Sequence, residues 1–271
     1  MIVSTINVNG VRAAVRQRSA ENLGLLDWLE RTDADVVCLQ ETRADDSQLA
    51  EALSPVLAPA RSEGWHLASA EPHLKGRSGV AVLSRAVFSD VRIGVAGFEE
   101  HGRYLEVDLP CGTTVASVYV HTGEAGTDRQ AEKERFMASL AARMAELADS
   151  GREAVLCGDW NIAHTEHDIK AWKANVKKAG FLPSERQWVT GLTESGWVDV
   201  MRRVQSEGPG PYSWWSWRGK AFDNDAGWRI DYHLATEPLA ARVRSARVEK
   251  PAAYALRWTD HAPVTVEFDR G

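Results

Sequence analysis

Two apolar runs in this chain end in an acid. Val36-Val37-Cys38-Leu39-Gln40 delivers Glu41, and Ala154-Val155-Leu156-Cys157-Gly158 delivers Asp159, followed by Trp160-Asn161. A run this apolar keeps a carboxylate at its end only if something neutralises it, because an unpaired charge away from water is strongly disfavoured. A divalent cation would do so. Two further segments carry similar residues: Arg229-Ile230-Asp231-Tyr232-His233 opens with an acid, and Thr259-Asp260-His261-Ala262-Pro263 precedes the last apolar run. With Asn7 and Asn9 at the end of the first run, the oxygen donors are Glu41, Asp159, Asp260 and the amides Asn7, Asn9 and Asn161, joined by one histidine, His261. Hard oxygen ligands favour magnesium or manganese over zinc. Asp231 could orient and charge-stabilise His261, as a carboxylate fixes the imidazole tautomer in other hydrolytic sites. The chemistry indicated is phosphodiester hydrolysis. Asp159, if close to other carboxylates, would have its pKa raised to a range useful for a base near neutrality.

Singly, each residue has an ordinary rival. Glu41 reads also as a strand-end salt-bridge partner, Asp159 in Gly-Asp-x-Asn as a turn, and Asp260-His261 before a proline as a loop hydrogen bond. What they share is position at the ends of strand-like runs, where ligands of open α/β sheets usually bind.

The elements that must bring them together are legible as follows. Residues 1–7, 35–40, 79–84, 103–109, 113–120, 154–157, 230–236 and 263–268 read as strands rich in β-branched residues. Residues 19–31, with Leu23, Leu26 and Leu29 on one face, read as an amphipathic helix, as do residues 129–149, with Phe136, Leu140, Met144 and Leu147. Ser184 followed three residues later by Gln187 is a capping-box start for another helix, which Gly196 would end. Strand 1–7, helix, strand 35–40 and Glu41 have the same order as strand 113–120, helix, strand 154–157 and Asp159, so two similar halves are expected. One unit over residues 1–271, with helices outside packed sheets, is the economical arrangement.

Composition bounds the function. With 271 residues, 44% hydrophobic and 26% charged, disorder and fibrous architectures are excluded. The net charge of −6 argues against holding nucleic acid by bulk charge alone, but leaves room for a local basic track around an acidic, metal-loaded cleft. Cys38, Cys111 and Cys157 are odd in number and read as reduced core thiols of a cytoplasmic protein. No stretch of 18 apolar residues occurs, and MIVSTINVNG lacks a basic region before an apolar one, so neither membrane anchor nor targeting segment is expected. Trp214, Trp215, Trp217 and Trp228 cluster with Phe222 among Arg218, Lys220 and Arg229, which fits a nucleic-acid surface or a core corner. Lys170, Lys173 and Lys177 at spacings of three and four, and Arg12 with Arg16, fit a basic track or solvated helical faces.

Taken together, Asn7-Val8-Asn9-Gly10, Leu39-Gln40-Glu41-Thr42, Arg77-Ser78-Gly79-Val80-Ala81, Gly158-Asp159-Trp160-Asn161, Trp228-Arg229-Ile230-Asp231-Tyr232 and Asp260-His261-Ala262-Pro263 resemble the exonuclease III family of abasic-site endonucleases, within the endonuclease/exonuclease/phosphatase superfamily. The stretch from Asn161 to Lys170 resembles its DNA-repair branch. The resemblance implies a four-layered α/β sandwich of the DNase I type, two packed sheets flanked by helices. It implies magnesium, with manganese as substitute, held by Glu41 with Asn9 and Asp260 nearby and with Asp159 and Asn161 in the same set. It gives Asp159 the attacking water, His261 with Asp231 the scissile phosphate, and Tyr119 the leaving oxygen, with Asn7 in the floor. Trp214, Trp228 and Ile230 would wall the pocket for a baseless sugar, Trp215 and Trp217 would pack, and Arg77, Lys75 and Lys170 would meet the backbone. The implied activity is cleavage 5′ of abasic sites in duplex DNA, with 3′→5′ exonuclease or 3′-end cleaning; a monomer is expected because no spare apolar helix or strand is evident. The alternatives are a superfamily phosphodiesterase acting on lipid or inositol phosphates and an inactive DNA-binding relative. The chain departs from the family pattern at His121-Thr122-Gly123 after Tyr119, where His121 reads as a surface loop residue, and at Asn9, where some relatives carry aspartate.

Overall fold

The computed structural model describes residues 1–60, 63–72, 74 and 76–269. Its strands, in chain order, are β1 (Ile2–Asn7), β2 (Val36–Gln40), β3 (His66–Ala70), β4 (Val80–Ser84), β5 (Asp90–Ile93), β6 (Tyr104–Asp108), β7 (Thr114–Tyr119), β8 (Ala154–Asp159), β9 (Trp197–Asp199), β10 (Asp231–Thr236), β11 (Val243–Val248) and β12 (Val264–Phe268). They form two six-stranded mixed sheets, ordered β11-β12-β1-β2-β4-β3 and β5-β6-β7-β8-β10-β9. The helices are α1 (Val11–Ala14), α2 (Leu25–Arg31), α3 (Asp46–Leu53), α4 (Asp128–Asp149), α5 (Pro183–Glu194), α6 (Val200–Val204) and α7 (Glu237–Ala240).

Three apolar layers explain why this stack holds. Val3, Val36, Cys38, Val80 and Val82 of one sheet meet Leu105, Val107, Val115, Val155 and Cys157 of the other. The outer face of the first sheet packs Ile6, Val37 and Leu39 against Leu25 and Leu29 of α2 and Leu49 and Leu53 of α3. The outer face of the second packs Val118 and Leu156 against Phe136, Leu140 and Met144 of α4 and Val189 and Leu192 of α5. Strands covered on both faces read as continuous apolar runs, which is the pattern of β2 and β8. The result is the four-layered α/β sandwich that the sequence motifs imply, with helices outside two packed sheets.

Each sheet has one parallel pair near its centre, β1 with β2 and β7 with β8, and every other pairing is antiparallel. In a parallel pair both carboxyl ends lie on the same side. Asn7 ends β1 and pairs with Gln40 beside Glu41, while Tyr119 ends β7 and pairs with Asp159 at the end of β8. Antiparallel neighbours reach that side with their first residues: Asp231 opens β10 opposite Asp159, and Val264 of β12 pairs with Thr5 just after His261. Topology alone therefore collects these segments at one rim.

Gly158 shows how tightly β7 and β8 pair. At φ 148° it presses on Val118, and an added Cβ would lie 1.9 Å from the Val118 carbonyl oxygen. Gly158→Ala is expected to destabilise the fold by about 3 kcal/mol or more through forced strand separation, read as a lower urea midpoint at unchanged slope.

Some elements differ from the sequence reading. The helix expected over 19–31 begins only at Leu25, because Gly24 sits at φ 81° where a Cβ would strike the Ala14 carbonyl oxygen at 2.5 Å; Leu25 and Leu29 are buried, whereas Leu23 is exposed. The helix read from Ser184 starts one residue earlier at Pro183, where Glu185, not Gln187, accepts from the Leu182 amide at 3.0 Å. Lys170, Lys173 and Lys177 share no helix: Ile169 bridges Trp228 and the Lys170 amide donates to Gly227, leaving only a short 3₁₀ turn at Trp172–Ala174. Cys111 is exposed in the turn between β6 and β7, whereas Cys38 and Cys157 are buried between the sheets. Among the described residues no helix is long and apolar enough to cross a membrane.

Candidate active site

At that rim opens a cavity of about 390 Å³ lined by Asn7, Asn9, Glu41, Tyr119, Asp159, Asn161, Asp260 and His261, and by Trp214, Trp228 and Ile230. Its floor is Asn7, which is buried and donates from Nδ2 to Glu41 Oε2 at 3.0 Å and to Asp159 Oδ2 at 2.9 Å. One amide thus joins acids from the two sheets. Thr259 Oγ1 donates to the Asn7 carbonyl at 2.8 Å and ties in the loop before β12. Asn9 Nδ2 donates to Asp260 Oδ1 at 2.8 Å, and Trp214 Nε1 donates to Asp260 Oδ2 at 3.0 Å.

Backbone strain is concentrated here. Asn9, Glu41, Arg43 and Asn161 adopt φ of 49°, 56°, 50° and 50°, in the left-handed region that most side chains avoid. Such conformations persist where surrounding contacts over-determine them, characteristically at functional sites. For Asn161 those contacts are its amide donating to Asp159 Oδ1 at 2.9 Å and its Nδ2 donating to Val120 O at 2.9 Å and Asp159 Oδ2 at 3.2 Å.

Asp159 and His261 are electrostatically linked. Burial pushes the Asp159 carboxyl up to about 7, with Asp231 repulsion adding to it and His261 opposing it. Burial alone would lower the His261 imidazole, but Asp231 foremost, with Asp159 and Asp260, outweighs that and holds it at about 10. The Nδ1–Asp231 Oδ2 contact is 2.8 Å, and the two backbone amides of Ile230 and Asp231 donate to Ser213 Oγ at 3.3 and 3.2 Å to fix the acid. His261 Nε2 lies 3.8 Å from Asp159 Oδ2, close enough for charge attraction and too far for a hydrogen bond, so this edge of the ring faces the cavity. Burial raises the Tyr119 phenol, with Glu41 and Asp159 adding to the effect, so it stays protonated. Asp260 is held below its usual range: burial opposes ionisation, and His261, Trp214 and Asn9 overcome it.

Of the other residues singled out from sequence, Arg77 and Lys170 are exposed and lie outside the cavity lining. Lys75 lies outside the described residues. Trp215 is core, edge-on to Phe222, but Trp217 is 42% exposed, with the Arg257 guanidinium over its ring and Tyr254 at its edge. His121 is not a surface residue: it is buried between Phe98 and Phe136, and desolvation lowers it to about 3. Sequence reasoning passed over Arg43, whose guanidinium clasps Glu41 Oε1, and over Ser213 and Gly180. Arg43 could have been found as the only cation two residues from Glu41; Ser213 carries no signal in the sequence.

Comparison with known proteins places the family and the fold. A family model described as the endonuclease/exonuclease/phosphatase family matches residues 4–261. The chain is 36% identical to an exodeoxyribonuclease of Bacillus subtilis over 261 residues, 95% of each chain. It is 30% identical to the DNA repair nuclease APEX1 of Danio rerio over 98% of this chain and 81% of that one. Among solved structures, the 3′ phosphatase NExo from Neisseria bound to product DNA hairpin superposes with a TM-score of 0.85 at 31% identity, covering all of both chains. An AP endonuclease from Archaeoglobus fulgidus gives 0.86 at 26% identity, again over all of both chains. The chain therefore belongs to the endonuclease/exonuclease/phosphatase family, in the branch of its exodeoxyribonucleases and abasic-site endonucleases.

Proposed function

We propose that this protein is a magnesium-dependent DNA-repair phosphodiesterase that cleaves 5′ of abasic sites in duplex DNA and removes 3′ nucleotides or blocking groups. The observation that carries this reading is the Asn7 bridge, which sets Glu41 and Asp159 side by side within reach of His261 in a cavity walled by Trp214, Trp228 and Ile230. The Bacillus relative is named an exodeoxyribonuclease and the Neisseria structure holds a DNA hairpin, which supports DNA as the substrate.

The donor set fits magnesium. Among the described residues no three or more His, Cys, Asp or Glu are drawn together as a metal site, so the fit rests on the hard oxygen donors of Glu41, Asp159 and Asp260 around the cavity. Magnesium takes one or two carboxylates and keeps its water, whereas zinc wants imidazoles or thiolates. Glu41 would hold it, with Asn9 and Asp260 near, and Asp159 and Asn161 at the margin; manganese would substitute. Bound there, the cation supplies charge stabilisation for the phosphate oxygens and the departing 3′ oxygen.

The protein's own groups do the rest. Asp159, poised near neutrality, takes a proton from the attacking water, and Asn161 keeps its carboxylate aimed. The His261 imidazolium donates from Nε2 to a non-bridging oxygen, where negative charge grows, while Asp231 holds Nδ1. The Tyr119 phenol remains available as a donor toward the leaving oxygen. The walls of Trp214, Trp228 and Ile230 admit a sugar without its base and exclude a normal nucleotide, and a baseless site is cheap to extrude. Arg77 and Lys170, both exposed, serve the flanking phosphates. We take the working form to be a cytoplasmic monomer.

One assay tests this reading. Purified protein is incubated with an abasic-site duplex, an undamaged duplex and a phospholipid headgroup substrate, each with magnesium or with a chelator. The expected result is incision 5′ of the abasic site and slower 3′ trimming of the undamaged duplex, both abolished by chelator and restored by magnesium or manganese. Turnover of the headgroup alone would overturn the reading, as would binding of DNA without cleavage.

A further inference from the structure

Lys133 is fully buried in the second turn of α4 and takes no part in the chemistry described above. Its ammonium has three donors, and three acceptors meet them. It pairs with Glu185 Oε1 of α5 at 2.7 Å and donates to two main-chain carbonyls, Asn161 O at 3.0 Å and Thr122 O at 3.3 Å. Asn161 and Thr122 both line the cavity, one from the loop after β8 and the other from the loop after β7. Gly123 explains how the helix comes so close: a Cβ there would lie 2.4 Å from Gln130 Oε1 and 2.9 Å from Lys133 Cδ.

The carbonyl that Lys133 grips belongs to a residue in a left-handed conformation, and that residue holds Asp159 by both its amide and its side chain. A buried ion pair is not needed for folding as such, since apolar replacement of both partners is often neutral or stabilising. The geometry points to Lys133 as a positioning residue, which acts through the Asn161 carbonyl to aim the Asp159 carboxylate at the attacking water. This inference rests on the proposed role of Asp159.

Two variants of the full chain test it, Lys133→Met and Lys133→Met/Glu185→Met. The single variant strands the Glu185 charge and is expected to lose both stability and turnover. The double variant removes both charges and is expected to recover part of the lost melting temperature, short of the parent because Glu185 also accepts from the Leu182 amide and Gln130, while kcat for the abasic duplex stays roughly 10- to 100-fold down, with KM little changed, because a misplacement of about 1 Å costs that order. Amide hydrogen exchange across residues 159–163 is expected to be faster in the double variant than in the parent. Parental kcat together with unchanged exchange in the double variant would reduce Lys133 to an ordinary structural pair and overturn the inference. The exchange measurement needs no substrate. If the parent fails to cleave any duplex, the functional reading falls, and the exchange comparison still decides for or against positioning.

Discussion

Asp159→Asn lowers cleavage of an abasic-site duplex roughly 10²- to 10⁴-fold, the range for loss of a general base, while duplex affinity stays close to parental. The amide keeps the shape, and its one oxygen can still accept from Asn7 Nδ2 and Asn161 Nδ2, but its NH2 end cannot accept from the Asn161 backbone amide and neither end can take a proton from water. Loss of fold is not the cause of the effect. The parent carboxyl is raised to about 7 by burial and by Asp231, so its ionised form is disfavoured by its surroundings. Relief of that buried charge offsets the lost bond to the Asn161 amide, so the neutral variant should melt close to the parent at pH 8 in the chelated state. Single-turnover cleavage and fluorescence anisotropy on the same duplex measure the two halves of the claim. Parental turnover in the variant would remove Asp159 from the mechanism.

Asp231→Asn is expected to cost on the order of 10³-fold in turnover, because a carboxylate that fixes an imidazole cannot be replaced by an amide without losing tautomer and charge. Without Asp231 the ring lacks its acceptor at 2.8 Å and the main influence that holds it protonated. The same pair has a stability signature in the chelated protein. His261 is held at about 10 in the fold against an ordinary 6.5. A group raised on folding stabilises fully below its unfolded pKa and loses that contribution as pH rises through the folded value. Asp159, raised from 3.8 to about 7, also costs stability as pH climbs, but its deprotonation is complete sooner. Between about pH 7.5 and 10 the slope therefore belongs to His261. The melting-temperature gap between parent and Asp231→Asn should shrink across that window. A gap independent of pH from 6 to 10 would mean that His261 is not held as an imidazolium.

How far the sequence could be read depended on whether a signal was local. Residues 129–149 were recognisable because Phe136, Leu140, Met144 and Leu147 repeat at helical spacing over about three turns, and all four are buried on the sheet. Edge strands β3, β5 and β11 were not, because they are partly solvent-exposed and take their hydrogen bonds from a single neighbour. The lysine stripe after Asn161 had helical spacing and forms no helix, because Ile169 and Lys170 bond across to Trp228 and Gly227 instead. His121 looked like a loop residue because the two phenylalanines that enclose it lie 23 positions before it and 15 after it.

The sequence by itself determined which residues would stand at strand ends, since an apolar run closing on an acid is written within a few consecutive positions. Only the tertiary structure decided what those acids are. Asn7 meets Asp159 across 152 positions, and Asn9 meets Asp260 across 251. Their charge states follow from burial and from which distant group lies within a few ångströms, and neither quantity exists until the two sheets have packed.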